Sequence, residues 1–424
     1  MLEQSILQNY LDILREELVP ATGCTEPIAI AYCAATLREL LGALPEQVDA
    51  AVSGNILKNV KSVVVPNTGG RKGIRPAIAA GMVAGDPSKG LQVISQLPEE
   101  KLPELEAFLK TTEIDVLCGE SPCRLDIDLR AWGGEHSARA RITNHHTNLV
   151  YLERDGEVLR ELPVVDAAEE HMTDKSCLNV EDILRFADTV PLEKVEDVLM
   201  RQVELNSAIA EEGLRGAWGA QIGRILMEDY GSDLKQQAKA YAAAGSDARM
   251  SGCELPVVIL SGSGNQGITA CMPVVTYARQ IGATKEQLCR ALIVSDLVTI
   301  LQKSGIGRLS AYCGAISAGV GAGAGICYLL GGGYSAVAHT VVNAVAILSG
   351  TICDGAKPSC AAKIAAAVDA GIMGYRMYLH HREFRGGEGI VGCSVEDTIA
   401  NVGRLAQQGM QQTDHTILRI MSED

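Results

Sequence analysis

In TICDGAKPSC, residues 351–360, two cysteines stand seven residues apart around an Asp-Gly and a Lys-Pro. Pro358 disfavours helical geometry at Lys357 and suits the first position of a helix, so a helix is expected from Pro358, with Cys360 in its first turn and Cys353 in the turn before it. RLSAYCGAISAGVGAGAG has a similar arrangement: Ser310 offers an N-cap and Cys313 falls at the third helical position. GCTEPIAIAYCAATLREL is a third case, with Thr25 or Glu26 as cap, Pro27 at the opening and Cys24 just before it. Free N–H groups and the positive end of the helix dipole lower thiol pKa values, so thiolates are expected at all three sites. Zinc usually takes paired C-x-x-C or Cys/His hooks, which are absent. Widely separated cysteines suit an iron–sulfur cluster, whose irons occupy the corners of a cube and demand no hook; three thiolates leave one iron open. The competing reading is that cysteines in Ala/Gly-rich helix starts are small packing residues.

Other segments carry donors for an anion. LSGSGNQGI, residues 260–268, follows the apolar run LPVVIL and offers backbone N–H groups with Ser261, Ser263, Asn265 and Gln266 to a carboxylate or phosphate. It has neither the GK[ST] ending of a Walker A loop nor GxGxxG spacing. SGNILKN and PNTGGRKG place Lys58, Asn67, Thr68 and Arg71 in donor-rich loops. In SDARM, Arg249 stands near Asp247; an ion pair holding a loop is the simpler expectation, a substrate-carboxylate clamp the sharper one. The adjacent histidines of NHHTN, residues 144–148, would face opposite sides of a strand, so an exposed turn is expected there instead of a joint metal site.

These residues need a scaffold. Residues 1–45 read as two helices separated by VPATGCTEP and are expected to pack on the helical domain. VDAAVSGNILKNVKSVVVPNTGG has strand character and a turn ending, followed by an Ala-rich helix near 75–84. Residues 113–160 alternate apolar and polar residues between turn signals, as antiparallel strands with one wet face do. From residue 179 onward, NVEDILRFADTV, TKEQLCRALIVSDLVTILQKS and SVEDTIANVGRLAQQGMQQTDHTILRIM show helical periodicity with charged outer faces. The expected fold class is α+β: a mostly helical catalytic domain over 175–424 and a smaller antiparallel-sheet α+β domain over 46–174.

With 424 residues, 47% of them hydrophobic, the chain can fill such cores. A net charge of −15 repels a phosphate backbone, so nucleic acid is a poor partner. Thirteen cysteines, an odd number, and no basic n-region or cleavage site argue against a disulfide framework and for a reducing, cytoplasmic setting. The apolar 315–352 stretch is Gly/Ala-rich and broken by GGG, and reads as helices buried by other helices in place of a membrane span. The apolar helices of the C-terminal half are compatible with a homodimer.

Taken together, GCTEP at 23–27, SGSGNQG at 261–267, CGA at 313–315, CDGAKPSC at 353–360 and GMQQTD at 409–414 resemble the iron–sulfur L-cysteine desulfidase family, related to the alpha chain of the oxygen-sensitive bacterial L-serine dehydratases. The resemblance spans essentially the whole chain. It implies a [4Fe-4S] cluster held by Cys313, Cys353 and Cys360 with the fourth iron free to meet substrate, and Cys24 at the same site as a catalytic thiol or exchangeable ligand. The implied substrate is L-cysteine, converted to pyruvate, ammonia and hydrogen sulfide. Cys24 as thiolate and Lys357 are the candidate bases. Ser261, Ser263, Asn265 and Gln266, with Asn67 and Arg249, are the candidate substrate-binding residues. The alternatives are an L-serine dehydratase with the same cluster, a pyridoxal phosphate lyase with Lys357 as Schiff base, and a non-catalytic cluster-based redox sensor.

Overall fold

The structure is a computed structural model and describes residues 3–165, 172–307 and 310–422. Two hydrophobic cores organise it. The smaller is α+β: strands β2 (Gln47–Val52), β3 (Glu113–Cys118), β4 (Asp126–Gly133), β5 (His136–Thr143), β6 (Leu149–Arg154) and β7 (Glu157–Glu161) form a sheet of order β3-β2-β4-β5-β6-β7. Alternation decides which face is buried. In β2, Val48, Ala50 and Val52 point inward while their neighbours stay half-exposed. Helices Thr25–Leu41 and Ile74–Ala84 cover that face with Ile28, Ile30, Leu37 and Ile78.

Two expectations change here. The sheet is mixed, because β3 runs parallel to β2 while the other neighbours are antiparallel. A parallel neighbour needs a long crossover, and residues 53–112, with their helices, supply it. The expected 1–45 unit is also divided. Gln4–Glu17 packs Tyr10, Leu11, Ile13 and Leu14 into the helical core, whereas Thr25–Leu41 belongs to the core beneath the sheet. Between them β1 (Val19–Thr22) pairs antiparallel with β8 (Pro256–Ile259), tying the chain that enters Cys24 to the strand that leads into SGSGNQG.

The larger core is helical. At its centre lies Gly314–Leu329, among Gly264–Ile281, Lys285–Ile306, Tyr334–Ile347 and Cys360–Leu379. Its small residues permit close approach: a Cβ added at Gly323 would stand 2.5 Å from the Gly371 carbonyl oxygen. Among the described residues no helix is long and apolar enough to cross a membrane.

Helix starts divide into two kinds. Asn179, Asp233, Thr284 and Ser394 cap their helices with side-chain acceptors, Thr284 and Gln287 forming a full capping box. Among the starts without a side-chain cap are those of Thr25–Leu41, Gly264–Ile281, Gly314–Leu329 and Cys360–Leu379, which begin with Cys24, Ser263, Cys313 and Ser359. All four of these starts meet at one cavity.

Candidate active site: a cavity walled by thiols and anion donors

The cavity holds about 690 Å³ and is lined by Cys24, Cys313, Cys353 and Cys360 together with Ser261, Ser263, Asn265, Gln266 and Arg249. Residues separated by more than 300 positions are thus brought together. Cys313 and Cys353 are set side by side by an isolated bridge between Tyr312 and Ile352. The Cys313 N–H donates to Thr351 O at 3.1 Å and the Cys353 N–H to Ala311 O at 2.6 Å. Cys313 is the N-cap of its helix and not the third residue, because Ser310 Oγ instead accepts from the Tyr312 N–H at 2.8 Å, in the turn before the helix. The helix expected from Pro358 begins at Cys360, so this thiol still lies in the first turn. Gly355 turns the chain between them with φ +95°, against the Lys58 carbonyl where a Cβ would collide. Cys24 is itself the N-cap of Thr25–Leu41. None of the thirteen cysteines is in a disulfide, and eight of them are buried.

The thiols do not titrate alike. Cys353 is pulled down to about 6, first by the hydrogen bond from the Cys313 thiol and then by Lys58, the Gly355 backbone and Lys363, which together outweigh burial. Cys313 is raised by the same hydrogen bond and by burial. Burial also raises Cys360 and, with the Glu26 carboxylate beside it, drives Cys24 well above the ordinary thiol value. The expectation of a thiolate at every helix start is therefore corrected. Helix-end partial charges act over a single turn, and at Cys24, Cys313 and Cys360 desolvation and neighbouring groups exceed them.

The opposite wall is made of donors. Arg249 is 2% exposed; its Nη1 donates to Asn265 Oδ1 at 3.1 Å, and its Nε has no hydrogen-bond partner among the described residues. Gln266 Oε1, also buried, has none either. The expected Arg249–Asp247 ion pair does not form, because residues two apart on a helix face different ways. Asp247 instead accepts from the Gly223 N–H at 3.0 Å. Among the described lining residues Glu26 is the sole carboxylate, facing Lys58, Arg124, Arg249 and Lys303, so the cavity attracts anions within an acidic protein.

Several lining residues were not singled out from the sequence. Glu26 accepts hydrogen bonds from Cys24 Sγ at 3.2 Å, Thr25 Oγ1 at 3.0 Å and Asn59 Nδ2 at 3.0 Å. Burial would raise its carboxyl, but His146, the Cys24 thiol and Arg249 more than offset this and hold it below the usual value. His146 comes from the NHHTN turn between β5 and β6; that turn is half-buried over the cavity and not exposed. The GCTEP motif contained Glu26, but its approach to His146 is purely tertiary. Two candidates lie elsewhere. Lys357 pairs with Asp354, donates to the Asp354 carbonyl at 3.2 Å and does not line the cavity. Asn67 is in the left-handed region (φ 60°), spends its amide on Ile94 O at 2.9 Å and does not line it either.

Among the described residues no three His, Cys, Asp or Glu side chains gather around the position of a single metal ion. Any group gripped jointly by Cys313, Cys353 and Cys360 must span the distance between them, and their sulfur donors suit soft metals.

The chain matches the family described as "Serine dehydratase alpha chain" over residues 88–419. It is 54% identical over 414 residues to a UPF0597 protein of Desulfitobacterium hafniense, covering 98% of this chain and 96% of the relative. UPF0597 proteins of Treponema denticola (45% over 429 residues, the full length of both) and Lachnoclostridium phytofermentans (48% over 414 residues, 98% and 99%) are similar throughout. With residues 88–419, well over half of its length, matched, the chain belongs to the serine dehydratase alpha-chain family.

Proposed function

We propose that this protein is an iron–sulfur carbon–sulfur lyase, an L-cysteine desulfidase. The observation that carries the reading is the meeting of Cys313, Cys353 and Cys360 at one cavity with a buried, partly unpartnered arginine and an uncapped helix start opposite them. The donor set fits a [4Fe-4S] cluster: three thiols, no competing oxygen ligand among them, and no disulfide. When bound, such a cluster would supply a soft Lewis acid for the departing sulfur.

The protein's own residues supply the rest. Arg249 Nε and the first-turn N–H groups of Gly264–Ile281 hold the substrate carboxylate, with Asn265 fixing the guanidinium and Gln266 beside it. Cys24, hydrogen-bonded to Glu26, forms a pair able to carry the proton taken from Cα; Asn59 and Thr25 orient Glu26. Loss of that proton and of the β-thiol yields hydrogen sulfide and 2-aminoacrylate. The latter tautomerises and takes up water to give pyruvate and ammonia.

The family's description favours a second reading, L-serine dehydratase, in which hydroxyl leaves in place of thiol. Pyruvate formation from L-cysteine and from L-serine under anaerobic conditions separates the two. The desulfidase reading expects the larger kcat/KM for cysteine with sulfide equimolar to pyruvate; preference for serine overturns it. A borohydride-reducible chromophore would support a pyridoxal phosphate enzyme and contradict both.

A further inference from the structure

GMQQTD, at the start of the last helix, has no part in the mechanism above, yet its aspartate meets a residue of the cavity wall. Asp414 Oδ1 bonds Lys58 Nζ at 2.5 Å, and the Lys58 side chain is 1% exposed. Lys58 belongs to Gly54–Val60, the short helix of the α+β unit that also brings Asn55 and Asn59 to the cavity. Asp414 belongs to Gln411–Ser422, which follows the helical core. The ion pair therefore joins the two units behind the cavity wall.

Two more contacts follow from the same helix. A Cβ added at Gly54 would stand 2.6 Å from Leu418 Cδ1, so Leu418 rests on the start of the short helix. Lys61 Nζ, just past its end, donates to the Met421 carbonyl at 2.6 Å. Residues 414, 418 and 421 are spaced i, i+4, i+7 and so form a single helix face. A single π-type turn, Leu405–Gly409, precedes this helix, and its Gln407 enters the cavity. Beneath the helix a smaller cavity of about 280 Å³, lined by Asp414 and His415, shares Asn55, Arg124 and Ser310 with the main one.

A seven-residue helix has little stability of its own, and a buried ammonium without its counter-ion is costly. We infer that Gln411–Ser422 is a strap that sets the α+β wall of the cavity, and that Asp414 is a positioning residue acting through Lys58. Its catalytic arm rests on the lyase reading above; its conformational arm does not.

The test uses full-length, anaerobically prepared protein carrying its iron. Asp414→Asn is expected to speed amide hydrogen exchange in residues 54–60 by about tenfold or more, leaving 314–329 unchanged. Leu418→Ala, which keeps the ion pair, loosens the same segment less. With cysteine, Asp414→Asn lowers kcat/KM about tenfold at unchanged iron content, Asp414→Glu restores it, and Asp414→Asn adds nothing further in a Lys58→Gln background. Unchanged exchange at 54–60 in both Asp414→Asn and Leu418→Ala overturns the strap. Multiplying losses in the double variant overturn the action through Lys58. A wild-type protein inert toward cysteine sinks the lyase reading, while the exchange arm still decides the strap.

Discussion

Two buried polar regions of the helical core contrast in what they do with displaced titration. Away from the cavity, Asp296 accepts from Gln202 Nε2 at 2.9 Å with both side chains fully buried, and burial pushes its carboxyl up to about 7. Around the cavity, Cys353 is pulled down to about 6 by a partner thiol and by cations. Both groups are perturbed, but the first is sealed among packed helices and the second faces open volume beside three other thiols and an arginine whose Nε has no partner among the described residues. A shifted pKa records burial; a site additionally needs groups from distant segments to converge on space that a ligand can enter.

The largest expected effect is on the thiol wall. Cys313→Ser, Cys353→Ser or Cys360→Ser should each abolish iron retention and cut turnover by roughly a thousandfold, whereas Cys393→Ser, at an exposed thiol outside the cavity, should leave both intact. Iron analysis with anaerobic pyruvate assay checks this. Equal losses at all four positions would erase the contrast.

Next in size, Glu26→Gln keeps the shape at Cys24 but removes the charge that accepts its hydrogen bond. Proton transfer of this kind contributes about a hundredfold or more, so kcat should fall by that order while KM and iron content hold. A rise in KM alone would assign Glu26 to binding. A smaller effect belongs to the donor wall: Asn265→Ala frees the Arg249 guanidinium and should raise KM for cysteine by about tenfold with iron unchanged. Loss of iron at full substrate affinity would contradict that role.

The smallest effect on activity falls on the sealed region. Because Asp296 has its carboxyl raised above the ordinary 3.8, the folded state binds the proton more tightly than the unfolded. Its contribution to stability is therefore greatest at low pH and declines as pH rises from about 4 to about 7, remaining low above that. Asp296→Asn retains a partner for Gln202 and should leave turnover unaltered, while its stability relative to wild type grows across that window, by a few kcal/mol at pH 8. Urea midpoints at pH 5 and pH 8 measure it; a difference that does not depend on pH would refute the assignment.

Much of the helical scaffold was legible because Pro, Gly and Ser punctuate it locally. Pro358 and the Asp-Gly turn placed Cys360 in a first turn and Cys353 before it, and the SGSGNQG loop does lead from a strand into a helix start. What depended on tertiary approach was not legible. His146 reads as an exposed turn until the hairpin of β5 and β6 is laid over the cavity. Asn67 has the composition of an anion donor, but the backbone carbonyl of Ile94 takes its amide. The parallel pairing of β2 and β3 leaves no trace in an alternation pattern shared by both strand orientations. Thiol acidity, expected from helix dipoles, turned on burial and on the Cys313–Cys353 contact, which joins residues forty positions apart.

The central claim is that Cys313, Cys353 and Cys360 grip one iron–sulfur cluster. Iron and acid-labile sulfide per chain, counted in anaerobically prepared protein, test it most directly. The account predicts about four of each in the wild type and near none after Cys353→Ser. A folded wild-type protein that turns over cysteine with neither iron nor sulfide bound would contradict it.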